Sequence, residues 1–437
     1  MPAEHLQEVS TVPSILLVTA WFAPSRQIGA RRIDRIANAL HAAGWQVTVL
    51  CPHAQFMAPN DDKMAVPPVE ILPVSVLAPR LWAKKVVQGR NAAAAEPLAP
   101  SSGKAGATKR RPMWMGLANK AMSIWEFPDP FQAMLLPALA AIRGRRFDVV
   151  LGSLPWRSMG PIAAAVARVT GAKLVLDYRD PWSEGLVDHA VGNDLPQHWH
   201  RWLEDRCLGQ AALVTGVSPT IVRWLTARAS CPVVLVTNAY EPVAVAEPPP
   251  PRPPIRLVYT GSLAYGRDLR PLLQALATAG LGPDQVVVDV AGPHGASVSA
   301  QAAELGLNPL QVVDHGMVSS QRAQELVGAG HVAVVLGSRG FEYAYPGKIF
   351  EILAKERPMW LLSPPGADAP ELILRHRLGW VSDPSDVAAV ASALAQILAG
   401  PVAAPVDLEL LQARPVMADL EQRLRGLIQD PKQRAKA

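Results

Sequence analysis

Cysteine is scarce in this chain: three among 437 residues, at positions 51, 207 and 231. Spacing that wide supports neither a disulfide framework nor a zinc site, and it fits a reducing compartment in which the thiols are buried bystanders. Apolar runs are short, and none reaches the ~18–20 residues that a membrane-spanning helix needs. The N-terminus carries Glu4 and Glu8 and no basic start, unlike a secretory signal. These absences together lead to the expectation of a cytoplasmic protein. There is no Asp-x-Asp and no histidine, cysteine or carboxylate cluster at ligand spacing, so neither a metal nor another cofactor is expected. The lack of a Gly-x-Gly-x-x-Gly turn after a strand, and of a P-loop, counts against a dinucleotide dehydrogenase or a P-loop enzyme.

Acid is nearly missing from residues 80–125, where nine basic side chains stand against Glu96 alone. The rest of the chain holds 33 basic and 36 acidic residues, so this one segment accounts for more than the whole net charge of +5. Trp82, Trp114, Ile124 and Trp125 are interleaved with the cations, a composition suited to peripheral contact with an anionic membrane surface. The alternative is a solvated insertion, disordered through the Ala/Pro/Ser/Gly-rich residues 91–108. Nucleic acid is not an expected partner, because the charge is confined to one segment and no nucleic-acid-binding motif accompanies it.

What is present is abundant apolar sequence, 49% of residues, in a chain too long for one core. Ser14-Ile15-Leu16-Leu17-Val18-Thr19 reads as a buried strand, followed by a Pro/Gly-containing loop, a helical pattern over 32–43 and the strand stretch of residues 44–50. The same alternation returns at 147–151, 161–169 and 173–177. A Pro-rich linker at 242–254 then precedes a second series: strands at 255–262, 286–292, 311–313, 332–336 and 359–362, with helices at 268–278, 321–329 and 348–354 between them. Two doubly wound α/β domains are therefore expected, with ligands in the loops at the carboxyl ends of the strands. The expected boundaries are 1–241 for the N-terminal domain, with an insertion over about 55–125, and 255–406 for the C-terminal domain. Residues 407–437 would form a C-terminal helix.

The most informative stretch runs from Tyr345-Pro346-Gly347-Lys348 through Glu351 to Pro358. Gly347 frees the backbone, Lys348 offers a cation to a phosphate, and Glu351 stands one turn into an apolar helix, where a carboxylate can accept hydrogen bonds from a ribose diol. An ordinary helix start, with Glu351 favoured by the helix dipole, explains the same residues.

Taken in order along the chain, several motifs resemble the retaining, GT-B-fold glycosyltransferases of family 4, especially the bacterial subgroup of surface-polysaccharide synthesis. They are Trp21-Phe22-Ala23-Pro24 through Ile28-Gly29-Ala30-Arg31-Arg32, then Asp177-Tyr178-Arg179-Asp180-Pro181-Trp182, Tyr259-Thr260-Gly261-Ser262-Leu263, Ala291-Gly292-Pro293, and above all residues 346–358. The resemblance covers nearly the whole chain except 55–125. It implies two Rossmann-like domains facing a cleft, and metal-independent transfer of a sugar from a nucleotide-sugar donor to a glycan or lipid-linked acceptor, with retention. The leaving phosphate would take up the acceptor's proton.

By this resemblance Arg267 and Lys348 meet the diphosphate, and Gly29, Gly261, Ser262, Gly347 and Glu351 bind the nucleotide sugar. Arg179 and Asp180 face the acceptor or form an internal ion pair. Arg31 and Arg32 suit a phosphate of donor or acceptor, with one of the two a solvated helix residue. His294 is the histidine expected in a cleft loop.

Two departures stand out. The family's pair of glutamates, with seven residues between them, is broken: counting back from Glu351 reaches Tyr343, and Glu342, one position off, is the candidate for the donor-sugar contact if the loop with Pro346 and Gly347 brings it in, a solvated loop carboxylate being the alternative. The N-terminal glycine loop is reduced to Gly29. These departures keep open a non-catalytic homologue that binds a nucleotide sugar or a partner, alongside a sugar-nucleotide epimerase or hydrolase.

Overall fold

The computed structural model describes residues 12–25, 27–57, 65–78, 124–154, 156–184, 196–243, 249–250, 252–264, 266–400 and 408–429. The basic part of 80–125, up to residue 123, lies outside them, as do residues 244–248 and 251 of the Pro-rich linker. The described chain forms two compact units, one of residues 1–216, 221–235 and 417–437, the other of 217–220 and 236–416.

The first unit is built on a parallel sheet of seven strands. They are β1 (Ser14–Val18), β2 (Gln46–Pro52), β3 (Glu70–Val74), β4 (Val149–Leu154), β5 (Lys173–Tyr178), β6 (Ala211–Gly216) and β7 (Val233–Leu235). Their order is β3-β2-β1-β4-β5-β6-β7. Its helices are α1 (Ile28–Ala42), α2 (Leu135–Ala141), α3 (Met159–Thr170), α4 (Gln197–Leu208) and α5 (Pro219–Thr226). The central strands are unbroken apolar runs because both faces are covered: every residue of β4 is buried.

Strand β3 falls inside the stretch expected to be an insertion, and pairs in register with β2, Leu50 beside Leu72 and Pro52 beside Val74. Pro73 hides it from sequence patterning, since proline cannot serve a central strand. At the end of the sheet order it is tolerated. Helix α1 starts four residues before the expected position. Its N-cap, Gln27, makes no side-chain cap and its first turn carries no acid, so the usual start signals are missing.

The second unit carries a parallel sheet of six strands in the order β10-β9-β8-β11-β12-β13. Here β8 is Ile255–Thr260, β9 Val286–Ala291, β10 Val312–Asp314, β11 Val332–Leu336, β12 Met359–Leu362 and β13 Gly379–Ser382. The helices are α6 (Arg270–Thr278), α7 (Gly295–Glu304), α8 (Ser320–Ala329), α9 (Lys348–Leu353), α10 (Asp368–Arg375) and α11 (Val387–Ala399). Alternation along β8 sends Leu257 and Tyr259 into one apolar layer and Val258 into the other, so the sheet is buried on both faces. After α11, the helix α12 (Ala413–Gln429) passes into the first unit from Met417 onward. There Glu421 accepts a hydrogen bond from the Trp45 indole at 2.9 Å, and the Arg425 guanidinium donates to the Ala43 carbonyl at 2.8 Å.

Candidate active site

In each sheet the strand order reverses at one place, between β1 and β4 in the first unit and between β8 and β11 in the second. A crevice opens at such a point beyond the carboxyl ends of the strands, because the two flanking loops turn to opposite faces. In both units a side-chain contact spans the two loops.

In the second unit that contact is a hydrogen bond from Arg267 Nε to Ser338 Oγ, 2.9 Å long. Arg267 comes from the loop after β8 and Ser338 from the loop after β11. The loop after β8 is stitched to its neighbours: Gly261 N–H donates to the Ala291 carbonyl (2.9 Å), and Gly292 N–H to the Gly316 carbonyl (2.8 Å). Gly292 has φ 150°, and a Cβ there would sit 2.1 Å from the Gly261 carbonyl oxygen. The two strand ends therefore approach as closely as glycine permits. The Tyr259 hydroxyl donates to the Ser262 carbonyl (2.9 Å), and Ser262 Oγ accepts from the Ala264 N–H (3.2 Å). Burial pushes the Tyr259 phenol up to about 12, with the Arg267 charge opposing, so this brace stays a neutral donor. His294 precedes α7 and accepts the Leu263 N–H on Nδ1 at 3.3 Å, which holds the β8 loop.

The Ser338 loop continues to α9. Lys348 and Glu351, both on its first turn, form an ion pair of 2.7 Å and are 41% and 24% exposed. A pair that open to water holds less than about 1 kcal/mol, so either charge can be drawn to another partner at small cost. Gly347 adopts ordinary right-handed helical angles, and nothing lies within 4 Å of where its Cβ would be. Its glycine is thus not required by backbone freedom, contrary to the sequence expectation, and what it provides is open space beside Lys348. Glu342 is held in its own turn: its Oε1 accepts from Gly340 N–H (2.8 Å) and its carbonyl from Asp368 N–H (2.8 Å).

In the first unit, the contact across the reversal is aromatic: Trp21, after β1, meets Trp156, after β4, edge to face at 5.6 Å. Gly29 sits under Trp21, since a Cβ there would lie 2.2 Å from the indole and 3.1 Å from the Arg179 guanidinium. Arg179 donates to the Gly29 carbonyl at 2.5 Å. Gly29 therefore has a packing reason of its own, and the space above it is filled by side chains.

Arg32 is neither solvated nor open to a phosphate. It is 3% exposed and paired with Asp177, which is 1% exposed. Arg31, beside it, remains half-buried. Burial pushes the Asp180 carboxyl up against the opposing Arg179 charge, and burial lowers the Arg179 guanidinium. Each residue keeps part of its surface open.

Trp21 and Ser338 are the residues that sequence reasoning did not single out as site residues. Their signal was positional, each following the strand at which the order reverses. Among the described residues, no group of three or more histidine, cysteine or carboxylate side chains is placed to hold a metal ion.

Residues 29–239 match the family model described as a glycosyl transferase 4-like domain. Among solved structures, the lipopolysaccharide outer core galactosyltransferase WaaB, in its apo form, aligns over 94% of this chain and 99% of its own, with 13% identity and TM-score 0.57. A UDP-forming α,α-trehalose-phosphate synthase from Burkholderia xenovorans, in complex with glucose-6-phosphate, aligns over 95% and 100%, with 13% identity and TM-score 0.57. Anabaena HepE, in complex with UDP and glucose, aligns over 97% and 99%, with 13% identity and TM-score 0.51. Comparison with curated proteins gave no significant match. The two parallel sheets, their order and these neighbours make the fold GT-B, the fold of glycosyltransferases.

Proposed function

We propose that this chain transfers a sugar from a nucleotide-sugar donor to a glycan or lipid-linked acceptor, with retention of anomeric configuration and without a metal. The observation that carries this reading is the Arg267–Ser338 bond across the β8/β11 reversal. It holds a guanidinium where a developing diphosphate charge would need preorganised donors. The half-buried Lys348–Glu351 pair supplies a second cation and a carboxylate suited to a ribose diol. HepE with UDP and glucose, and a synthase named as UDP-forming, are neighbours that agree with a nucleotide donor.

In this reaction the bond from the sugar's anomeric carbon to the phosphate oxygen breaks, and the acceptor hydroxyl oxygen bonds that carbon on the same face. The acceptor's proton passes to the departing phosphate oxygen, so no protein nucleophile is required. Arg267, Lys348 and the backbone at Gly261 and Ser262 would stabilise the leaving diphosphate. Arg179 and Asp180 would orient the acceptor side, and residues 80–125 would bring the chain to an anionic membrane where a lipid-linked acceptor resides. Arg32 would act through Asp177 as a positioning residue.

A second reading, a homologue that binds a nucleotide sugar without turning it over, is favoured by Glu342, whose carboxylate closes its own turn. One experiment separates the two. Thermal unfolding is followed with UDP, GDP, ADP, CMP and TDP and their common sugars, on wild type and Glu351→Ala. A ligand at a hundred times its Kd stabilises by ~2.7 kcal/mol. A shift with one base that is lost in Glu351→Ala, followed by donor consumption that depends on an added acceptor, supports transfer. The shift without consumption supports the second reading, and no shift with any nucleotide overturns both.

A further inference from the structure

Helix α4 turns its largest apolar side chains outward. His200, Glu204, Cys207 and Leu208 form its buried face. On the opposite face Trp199 and Trp202 are each 51% exposed, and Arg206 completes their stripe at helical spacing, its guanidinium 4.6 Å over the Trp202 ring. The stripe does not end with the helix. Phe127 packs edge-on against Trp199 at 6.4 Å, and just before it in the chain Ile124 and Trp125 are 60% and 59% exposed. Single exposed apolar residues are ordinary, but three tryptophans and an isoleucine on two elements joined by an aromatic contact form a patch.

Tryptophan with arginine is the pairing that suits a membrane–water interface, where the ring enters the headgroup region and the cation meets phosphate. Charge identifies the occupant further. The residues 80–123 that lead into Ile124 carry nine basic side chains against one acid in sequence. The exposed acid of α4, Asp205, is already paired with Arg228, and Glu184, from the loop after β5, with Arg201 of α4. A surface both aromatic and cationic fits an anionic bilayer better than the apolar face of another protein.

We propose that the Trp199–Trp202–Arg206 face of α4, continued by Ile124 and Trp125, is a membrane-docking surface that inserts its indoles into the headgroup region of an anionic bilayer. The basic segment supplies attraction at a distance, and the indoles supply the insertion.

The test uses the full chain and needs neither donor nor acceptor, so its outcome stands apart from the transfer reaction. Sedimentation with phosphatidylcholine vesicles containing phosphatidylglycerol, and with phosphatidylcholine alone, is compared for wild type and Trp199→Ala/Trp202→Ala. Wild type is expected to bind the anionic vesicles and not the neutral ones, and the variant's partition coefficient to fall roughly tenfold or more.

A conservative variant, Trp199→Phe/Trp202→Phe, guards against misfolding. Brominated lipid should quench part of the wild-type tryptophan emission, and this variant should lose the share that Trp199 and Trp202 contribute, keeping that of Trp125, while melting as wild type does. Equal binding by wild type and the alanine variant would assign the attraction to residues 80–123 alone and overturn the proposal. Absence of wild-type binding would do the same. So would a wild-type dimer that the alanine substitutions dissociate while vesicle binding is unchanged, which would make the face a contact between copies of the chain.

Discussion

Arg32 and Asp177 meet in a two-pronged ion pair, Nε to Oδ2 at 2.9 Å and the second nitrogen to Oδ1 at 2.7 Å, across 145 residues of sequence. Asp177 is the penultimate residue of β5 and also accepts the Thr215 hydroxyl at 2.6 Å. The pair fastens the first turn of α1 to the strand that delivers Arg179 and Asp180. Removing one partner leaves a buried charge, so Arg32→Met should cost about 3–5 kcal/mol, while Arg32→Met/Asp177→Asn should cost much less than the sum of the single changes. Urea unfolding of the four proteins checks this, and additive losses would show that the two groups are not coupled. Although burial alone would raise it, the Arg32 charge and the hydrogen bonds hold the Asp177 carboxyl below its ordinary value of 3.8. Its stabilisation is therefore complete above that value and is lost as pH falls through the lowered pKa.

Asp34, on α1, behaves in the opposite sense. Its Oδ1 accepts the Ala23 N–H at 3.1 Å, and its Oδ2 has no hydrogen-bond partner among the described residues. Burial pushes its carboxyl up to about 6 from 3.8, against that hydrogen bond and the Arg35 charge. Between those two values the folded chain holds a proton that the unfolded chain has released, so the contribution of this group falls as pH rises. Asp34→Asn removes the titration and keeps an acceptor for Ala23. Measured by urea unfolding, the stability of the variant relative to wild type should rise by about 2–3 kcal/mol between pH 4 and pH 7, whatever fixed offset the amide adds. A difference that does not change with pH would show that Asp34 is not the buried acid described here.

Much of this architecture could be read from sequence, because strands buried on both faces appear as unbroken apolar runs: residues 14–18, 149–154 and 286–291 are examples. Strand β3 could not, since Pro73 breaks its pattern and only its place at the end of the sheet order makes it possible. The start of α1 was obscured by a first turn with no acid and no side-chain cap. At the site, Lys348 and Glu351 were legible because helix spacing alone brings residues three apart together. The Arg267–Ser338 and Trp21–Trp156 contacts were not, because they join loops that become neighbours only through strand order. Arg32 was misjudged for the same reason. Its partner is 145 residues away, and no local pattern distinguishes an arginine that will be buried from one that will be solvated.

Gly292 and Gly347 flank the same candidate donor site and should respond oppositely to alanine. At Gly292 the backbone has φ 150° and an added Cβ would lie 2.1 Å from the Gly261 carbonyl oxygen, so the loops after β8 and β9 must separate. Gly292→Ala should lower stability by about 2 kcal/mol or more and weaken any nucleotide-induced thermal shift with it. At Gly347 the angles are helical and the space is open. Gly347→Ala should leave the melting temperature unchanged or slightly raised, since alanine restricts the unfolded chain at no cost to the folded one. Its effect is then confined to what approaches Lys348. If a phosphate comes in there, the methyl group should reduce the nucleotide-induced shift in an otherwise undamaged protein. A Gly347→Ala protein with the full wild-type shift would instead mean that this glycine only begins a helix, and that the phosphate lies elsewhere along the β8 and β11 loops.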